Sequence, residues 1–212
     1  MYYLRDPAPY KARAREGRKR AHEHNIGRVR ALLRSSACAD CGTNDFAVLE
    51  FDHREPANKS SNVGELLTGS WTVVAGEIAK CDIVCANCHR KRTARHDGWR
   101  RLLGLESLAL PELPRRGERD YERINSNRSC LARRHRNRAY VYQYLRDHPC
   151  VLCGEADPVA LDFDHLRHKV REVTVIAAFG GWRDLLLEID KCRVLCANCH
   201  RRHTAAAAGR LR

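Results

Sequence analysis

Cys85-Ala86-Asn87-Cys88-His89-Arg90 decides how this chain is read, and it returns as Cys196-Ala197-Asn198-Cys199-His200-Arg201. In each copy a Cys-x-x-Cys pair runs directly into a histidine, so two soft thiolates and an imidazole share one turn of chain. Thiolates at that spacing are half of a tetrahedral zinc site, and the histidine beside them is left for another partner. Upstream of each copy stand two companions. One is a second thiolate pair, Cys38 with Cys41 or Cys150 with Cys153. The other is a short alternation of apolar and polar residues that ends in Asp52-His53 or Asp164-His165.

The companions keep register. Cys38, Cys41, Asp52 and His53 recur 112 positions later, while Cys81, Cys85, Cys88 and His89 recur 111 positions later, as Cys192, Cys196, Cys199 and His200. Loss of one residue between the two groups accounts for the offset, so the chain reads as one unit written twice. Three segments are expected. Residues 1–104 form a first unit with an N-terminal basic helix, and residues 105–117 form a linker broken by Pro111, Pro114 and Gly117. Residues 118–212 form a second unit with its own basic helix.

Across 212 residues there are 39 Lys and Arg against 26 Asp and Glu, an excess spread over both halves and richer in Arg than Lys. The planar guanidinium fork pairs bidentately with phosphate, so the expected partner is a polyanion, DNA or else RNA. The N-terminal Met1-Tyr2-Tyr3-Leu4-Arg5 has no apolar signal region and no run reaches membrane-spanning length, so no membrane partner is expected. Eight of the eleven cysteines fall in Cys-x-x-Cys pairs, which favours metal binding in a reducing, cytoplasmic setting over a disulfide framework. Each half has enough apolar residues for a modest core that leans on zinc.

Residues 11–34 carry Ile26, Val29, Leu32 and Leu33 at helical spacing, with Arg18, Lys19 and Arg20 among the basic residues around them. Residues 123–146 carry Tyr140, Val141, Tyr144 and Leu145, preceded by Arg133, Arg134 and Arg136. In both, the apolar stripe is expected to pack on the zinc module and the basic face to meet phosphates. Gly42 and Gly154 follow the first thiolate pair of each unit and suit a tight knuckle. Val48–His53 and Ala160–His165 alternate as strands whose Leu and Phe face a core, and Cys81–Cys85 and Cys192–Cys196 read as second strands. Between the strands lies a looser stretch holding Trp71 or Trp182, then an amphipathic piece ending at Glu77-Ile78 or Glu188-Ile189. A basic helix closes each unit.

Cys38, Cys41, Cys85 and Cys88 would complete one coordination sphere, and Cys150, Cys153, Cys196 and Cys199 another. Four thiolates leave no open position, so two structural Zn²⁺ ions are expected. Cys81 and Cys192 are expected to be buried strand residues, and Cys130 has no counterpart. Asp52 and His53 are neighbours at a strand end, where their side chains diverge; one can bind a metal while the other addresses a water.

These residues resemble the HNH endonuclease family, in particular its zinc-bearing branch, on Phe51-Asp52-His53, Cys85-Ala86-Asn87-Cys88-His89 and their counterparts. The resemblance covers roughly residues 37–94 and 149–205. It implies an α+β fold of two tandem zinc-stapled ββα-metal modules, each preceded by a basic helix, that hydrolyses phosphodiester bonds in DNA. Asp52 with His89, and Asp164 with His200, would hold a divalent catalytic metal (Mg²⁺, Mn²⁺ or Zn²⁺). His53 and His165 would be general bases, and Arg90 and Arg201 would clamp phosphate. Two centres in one chain could cut both strands as a monomer. The chain departs from the family where a middle asparagine is usual: Lys80 and Lys191 stand there, leaving Asn87 and Asn198 as substitute orienting groups. His203, three residues past His200, is a candidate extra ligand. The competing expectation is a tandem zinc module that grips nucleic acid without cutting, or one cutting and one gripping unit; binding alone has no use for Asp52-His53 and Asp164-His165.

Overall fold

The repeat in the sequence is a repeat in the structure. A computed structural model describes residues 7–97 and 110–207, and contacts divide the chain into two compact units, Met1–His89 and Arg90–Arg212. The first unit runs α1 (Pro7–Arg34), β1 (Leu49–His53), α2 (Val63–Leu66), α3 (Trp71–Ile78) and β2 (Cys81–Cys85), and α4 (Ala86–Asp97) opens at its end. In the second unit come α5 (Tyr121–Asp147), β3 (Leu161–His165), α6 (Val173–Phe179), α7 (Trp182–Ile189), β4 (Cys192–Cys196) and α8 (Ala197–Ala207). The protein is thus mixed α and β, with two small antiparallel strand pairs. Of the expected linker, residues 105–109 lie outside the described residues; 110–115 have no regular structure, and turns follow with Gly117 at φ +95°. The closing helix α8 ends at Ala207.

Register fixes what each strand presents. Leu49 pairs with Cys85, Phe51 with Ile83 and His53 with Cys81; Leu161, Phe163 and His165 pair with Cys196, Val194 and Cys192. Because side chains alternate, Leu49 and Leu161 go to the core while Glu50 and Asp52, or Asp162 and Asp164, share the other face. The second-unit core gathers Val141, Leu145, Leu161, Phe163, Ile176, Leu185 and Leu195, with Tyr140 and Tyr144 packed on it. In the first unit, Leu33 packs beside Cys38, Val48, Leu49, Val84 and Cys85. Ile26 and Val29 pack beside Val63, Leu67 and Val74. The stripe expected from the sequence is therefore the face that each long helix buries.

The stretch read as loose holds short helices. Trp71 and Trp182 are the first residues of α3 and α7, and α2 and α6 precede them. At α2, Glu65 accepts from the backbone N–H of Asn62 (3.3 Å) and from its side-chain amide (2.7 Å), a local closure that offsets the short length of the helix. A buried amide then ties each long helix to this region. Asn25 donates to the carbonyls of Leu67 and Gly69 (both 2.9 Å), and Asn137 donates to Gly180 (3.3 Å). Gly180 is required there, since a Cβ would lie 2.6 Å from Ile176 Cγ2.

Candidate functional site

Each unit brings four cysteines from two places. A knuckle after the long helix supplies Cys38 and Cys41, or Cys150 and Cys153; Gly42 and Gly154 turn it with φ of +74° and +77°. The junction of strand and closing helix supplies Cys85 and Cys88, or Cys196 and Cys199. In each set the sulfur atoms all lie within 4.8 Å of one another, and Cys41 Sγ is 3.8 Å from Cys85 Sγ, Cys153 Sγ 3.6 Å from Cys196 Sγ. Tetrahedral zinc with Zn–S bonds of about 2.3 Å has S···S edges of about 3.8 Å, so the donors fit zinc. Burial works against the thiolates of Cys38 and Cys150, yet backbone N–H groups bring both down to about 7. One of those amides is Cys85 N–H, 3.2 Å from Cys38 Sγ. Cys88 and Cys199 are pushed far above the ordinary thiol range, by burial first and then by the neighbouring sulfurs. Four sulfurs crowded in this way can all be thiolates only beside a cation. Cys81 is buried as expected, and its strand counterpart Cys192 is half-buried.

On the outer face of the strand pair, the first turn of α4 carries His89 over β1. Its Nε2 lies 3.2 Å from Asp52 Oδ1 and its Nδ1 2.7 Å from Glu50 Oε1. In the second unit His200 Nε2 lies 3.5 Å from Asp164 Oδ1 and Nδ1 3.6 Å from Asp162 Oδ2. Hydrogen bonding to Asp162 raises the His200 pKa, against the opposing pull of burial. An oxygen and a nitrogen donor at about 2.1 Å from one ion, at right angles, are about 3 Å apart, so each Asp–His pair offers two ligands for a divalent cation. Glu50 was absent from the sequence expectation; a carboxylate on the second ring nitrogen is what fixes the tautomer of a metal-binding histidine. His203 Nδ1 is 3.8 Å from Asp164 Oδ2. The chemistry of these donors suits Mg²⁺, Mn²⁺ or Zn²⁺, with protein supplying two ligands.

The strand-end histidines face the opposite way, into a buried carboxylate. His53 Nε2 is 2.9 Å from Glu77 Oε1, and His165 Nε2 is 3.0 Å from Glu188 Oε1. The same oxygen of Glu77 accepts backbone N–H groups of Ser60 (2.8 Å) and Ser61 (3.3 Å), and that of Glu188 accepts Val170 (2.9 Å) and Arg171 (3.3 Å). The other oxygen takes the ammonium of Lys80 (2.6 Å) or Lys191 (2.7 Å). Lys80 therefore holds the Glu77 carboxyl well below the usual carboxylate range. Burial would raise Glu188, but Lys191 and the two amides outweigh it and leave it at about 2. Glu77 and Glu188 thus orient the strand-end histidines, while Asn87 and Asn198 lie in the first turns of α4 and α8. Lys80 and Lys191 are not gaps in a motif; they hold the carboxylates that hold the histidines. A repeat of Glu-x-x-Lys at the 111-residue offset was the signal available in the sequence.

A cleft of about 500 Å³ opens over the first site, lined by Glu50, Asp52, His53, His89, Lys59 and Asn62 among others. The arginine candidates fall into two groups. Arg18, Lys19 and Arg20 are exposed on α1, with Lys19 4.0 Å from Glu23 and Arg20 3.3 Å from Glu16. The second-unit candidates contact their own unit: Arg133 donates to the carbonyls of Phe179 and Gly180 (both 2.6 Å), Arg134 lies over Phe179, and the exposed Arg136 lies over Trp182. Arg90 is half-buried and Arg201 exposed, each one residue past its histidine. No helix among the described residues is long and apolar enough to cross a membrane. Compared with protein families, with curated proteins and with solved structures, the chain matches none.

Proposed function

We propose that this chain is a metal-dependent endonuclease of the HNH kind, hydrolysing phosphodiester bonds in DNA. One observation carries the reading: in both units a strand-end histidine is anchored on a buried carboxylate, beside a strand aspartate that faces a helix histidine. A protein that only grips nucleic acid gains nothing from building that polar arrangement twice.

The roles follow from what each atom faces. A carboxylate only accepts, so His53 donates Nε2–H to Glu77, and the lone pair of Nδ1 is left for a water. Held this way, His53 takes a proton from the attacking water as a general base, and His165 is set identically on Glu188. His89 donates Nδ1–H to Glu50, which turns the Nε2 lone pair toward Asp52. A divalent cation bound by Asp52 and His89 would supply charge neutralisation at the scissile phosphate. Lys59 in the cleft and the exposed Arg18, Lys19 and Arg20 supply positive charge for the flanking backbone. The four-cysteine sites keep strand and helix together, so that Asp52 and His89 meet.

The test is conversion of supercoiled plasmid to nicked and linear forms by zinc-loaded protein with Mg²⁺ or Mn²⁺. Retained DNA binding with no conversion in any divalent cation contradicts the enzyme reading and leaves a binding module.

A further inference from the structure

The two sites share a plan, but they differ in charge at two aligned positions and in side-chain length at a third. Across the strand pair, Asp52 faces Asp82, whereas Asp164 faces Arg193. The Arg193 guanidinium reaches Asp164 itself, with Nε 2.8 Å from Oδ2, and its Nη2 is buried with no hydrogen-bond partner among the described residues. The first unit has an arginine nearby too, but it sits one residue after His53, where the second unit has Leu166. That residue, Arg54, donates to the Cys81 carbonyl (2.7 Å) and to Asp82 (3.2 Å). The third difference lies under the helix histidine. Glu50 reaches His89 Nδ1 at 2.7 Å, while Asp162, one methylene shorter, stops 3.6 Å from His200 Nδ1.

Each difference acts in one direction. A guanidinium on the carboxylate that should hold a cation repels that cation and occupies one of its oxygens. A histidine whose carboxylate partner stands at 3.6 Å from its second nitrogen is less firmly aimed as a ligand than one held at 2.7 Å. We infer that the centres have diverged, the first taking the divalent cation and the second having its Asp164 carboxylate already matched by Arg193. Loss of outer-shell support of this kind weakens metal affinity by roughly 10–100-fold. The second unit then contributes no hydrolysis, and the chain nicks one strand per encounter. This rests on the nuclease reading for its consequence, but the metal asymmetry itself can be measured without cleavage.

The experiment is titration of the zinc-loaded full chain with Mn²⁺, reading free Mn²⁺ by electron paramagnetic resonance. One tight site per chain is expected, abolished by Asp52→Asn and kept by Asp164→Asn. Arg193→Ala should add a second site, with zinc content and melting temperature showing that the variant is folded. Two equal sites in the unaltered chain, a tight site lost in Asp164→Asn, or no Mn²⁺ bound at all would each overturn the inference. Plasmid cleavage measured beside it separates the two claims. A single Mn²⁺ site without cleavage supports the asymmetry and sinks the nuclease reading, whereas cleavage with two equal sites does the reverse.

Discussion

Glu77→Gln, made in a chain whose second base is removed by His165→Ala, isolates the step from buried carboxylate to working histidine. Glu77 Oε1 accepts from His53 Nε2 (2.9 Å), Ser60 N (2.8 Å) and Ser61 N (3.3 Å), and Oε2 accepts from Lys80 Nζ (2.6 Å). Every neighbour is a donor. A glutamine amide has one accepting and one donating end, so in either orientation its NH₂ meets donors: the Lys80 ammonium, or the histidine with two backbone amides. The variant should melt lower, and His53 should lose the fixed tautomer that aims Nδ1 at water. General-base catalysis contributes roughly 10²–10⁴-fold, so nicking should fall within that range. A second substitution separates structure from chemistry. Glu77→Gln with Lys80→Met removes the donor–donor clash and should recover melting temperature, while the neutral pair still fails to support the imidazolium that forms in catalysis. Nicking under single-turnover conditions between pH 6 and 9, with differential scanning calorimetry, reads both quantities. Unchanged nicking and an unchanged pH profile in Glu77→Gln would refute the reasoning.

Elemental analysis should give two zinc ions per chain; Cys88→Ser should lower this to one, and chelation should unfold both units, whereas full folding without zinc contradicts the assignment. Asn25→Ala leaves the Leu67 and Gly69 carbonyls without their buried donor and should cost about 2 kcal/mol. In a unit of this size that is a fall of roughly 10 °C in melting temperature. Gly180→Ala should be as damaging, because its Cβ would press on Ile176, and calorimetry that finds either variant unchanged would show the contact is not made. The His200 pKa is raised by Asp162, so this pair stabilises the fold fully below the ordinary histidine value and loses that contribution as pH rises through the folded one. Urea midpoints of the wild type should therefore exceed those of Asp162→Asn at pH 6 by more than at pH 8.5; a gap that does not narrow contradicts the pairing.

Much of the site could be read along the chain because the residues concerned come in short, repeated strings. Cys-x-x-Cys spacing with a following glycine demands a knuckle, and alternation in Leu49-Glu50-Phe51-Asp52-His53 demands that its carboxylates share a face. What stayed hidden was pairing across distance. Glu77 sits 24 residues from His53 and looked like an ordinary helix-end acid, since no local rule says that four donors converge on it. Asn25 and Asn137 were hidden for the same reason; a polar residue in a basic helix resembles its solvated neighbours until the carbonyls of Leu67, Gly69 or Gly180 arrive. The helices opening at Trp71 and Trp182 were obscured by their brevity. Nor does composition reveal that Arg133, Arg134 and Arg136 lie beside Phe179, Gly180 and Trp182 of their own unit.

The central claim is that a strand-end histidine held on a buried carboxylate, His53 in the first unit, is the base of a phosphodiester-cleaving chain. Supercoiled plasmid with Mn²⁺, incubated with wild type and with the His53→Ala, His165→Ala double variant, tests it most directly once equal zinc content and equal DNA binding are shown. The account predicts nicking by the wild type and none by the double variant; equal nicking by both, or none by either, would contradict it.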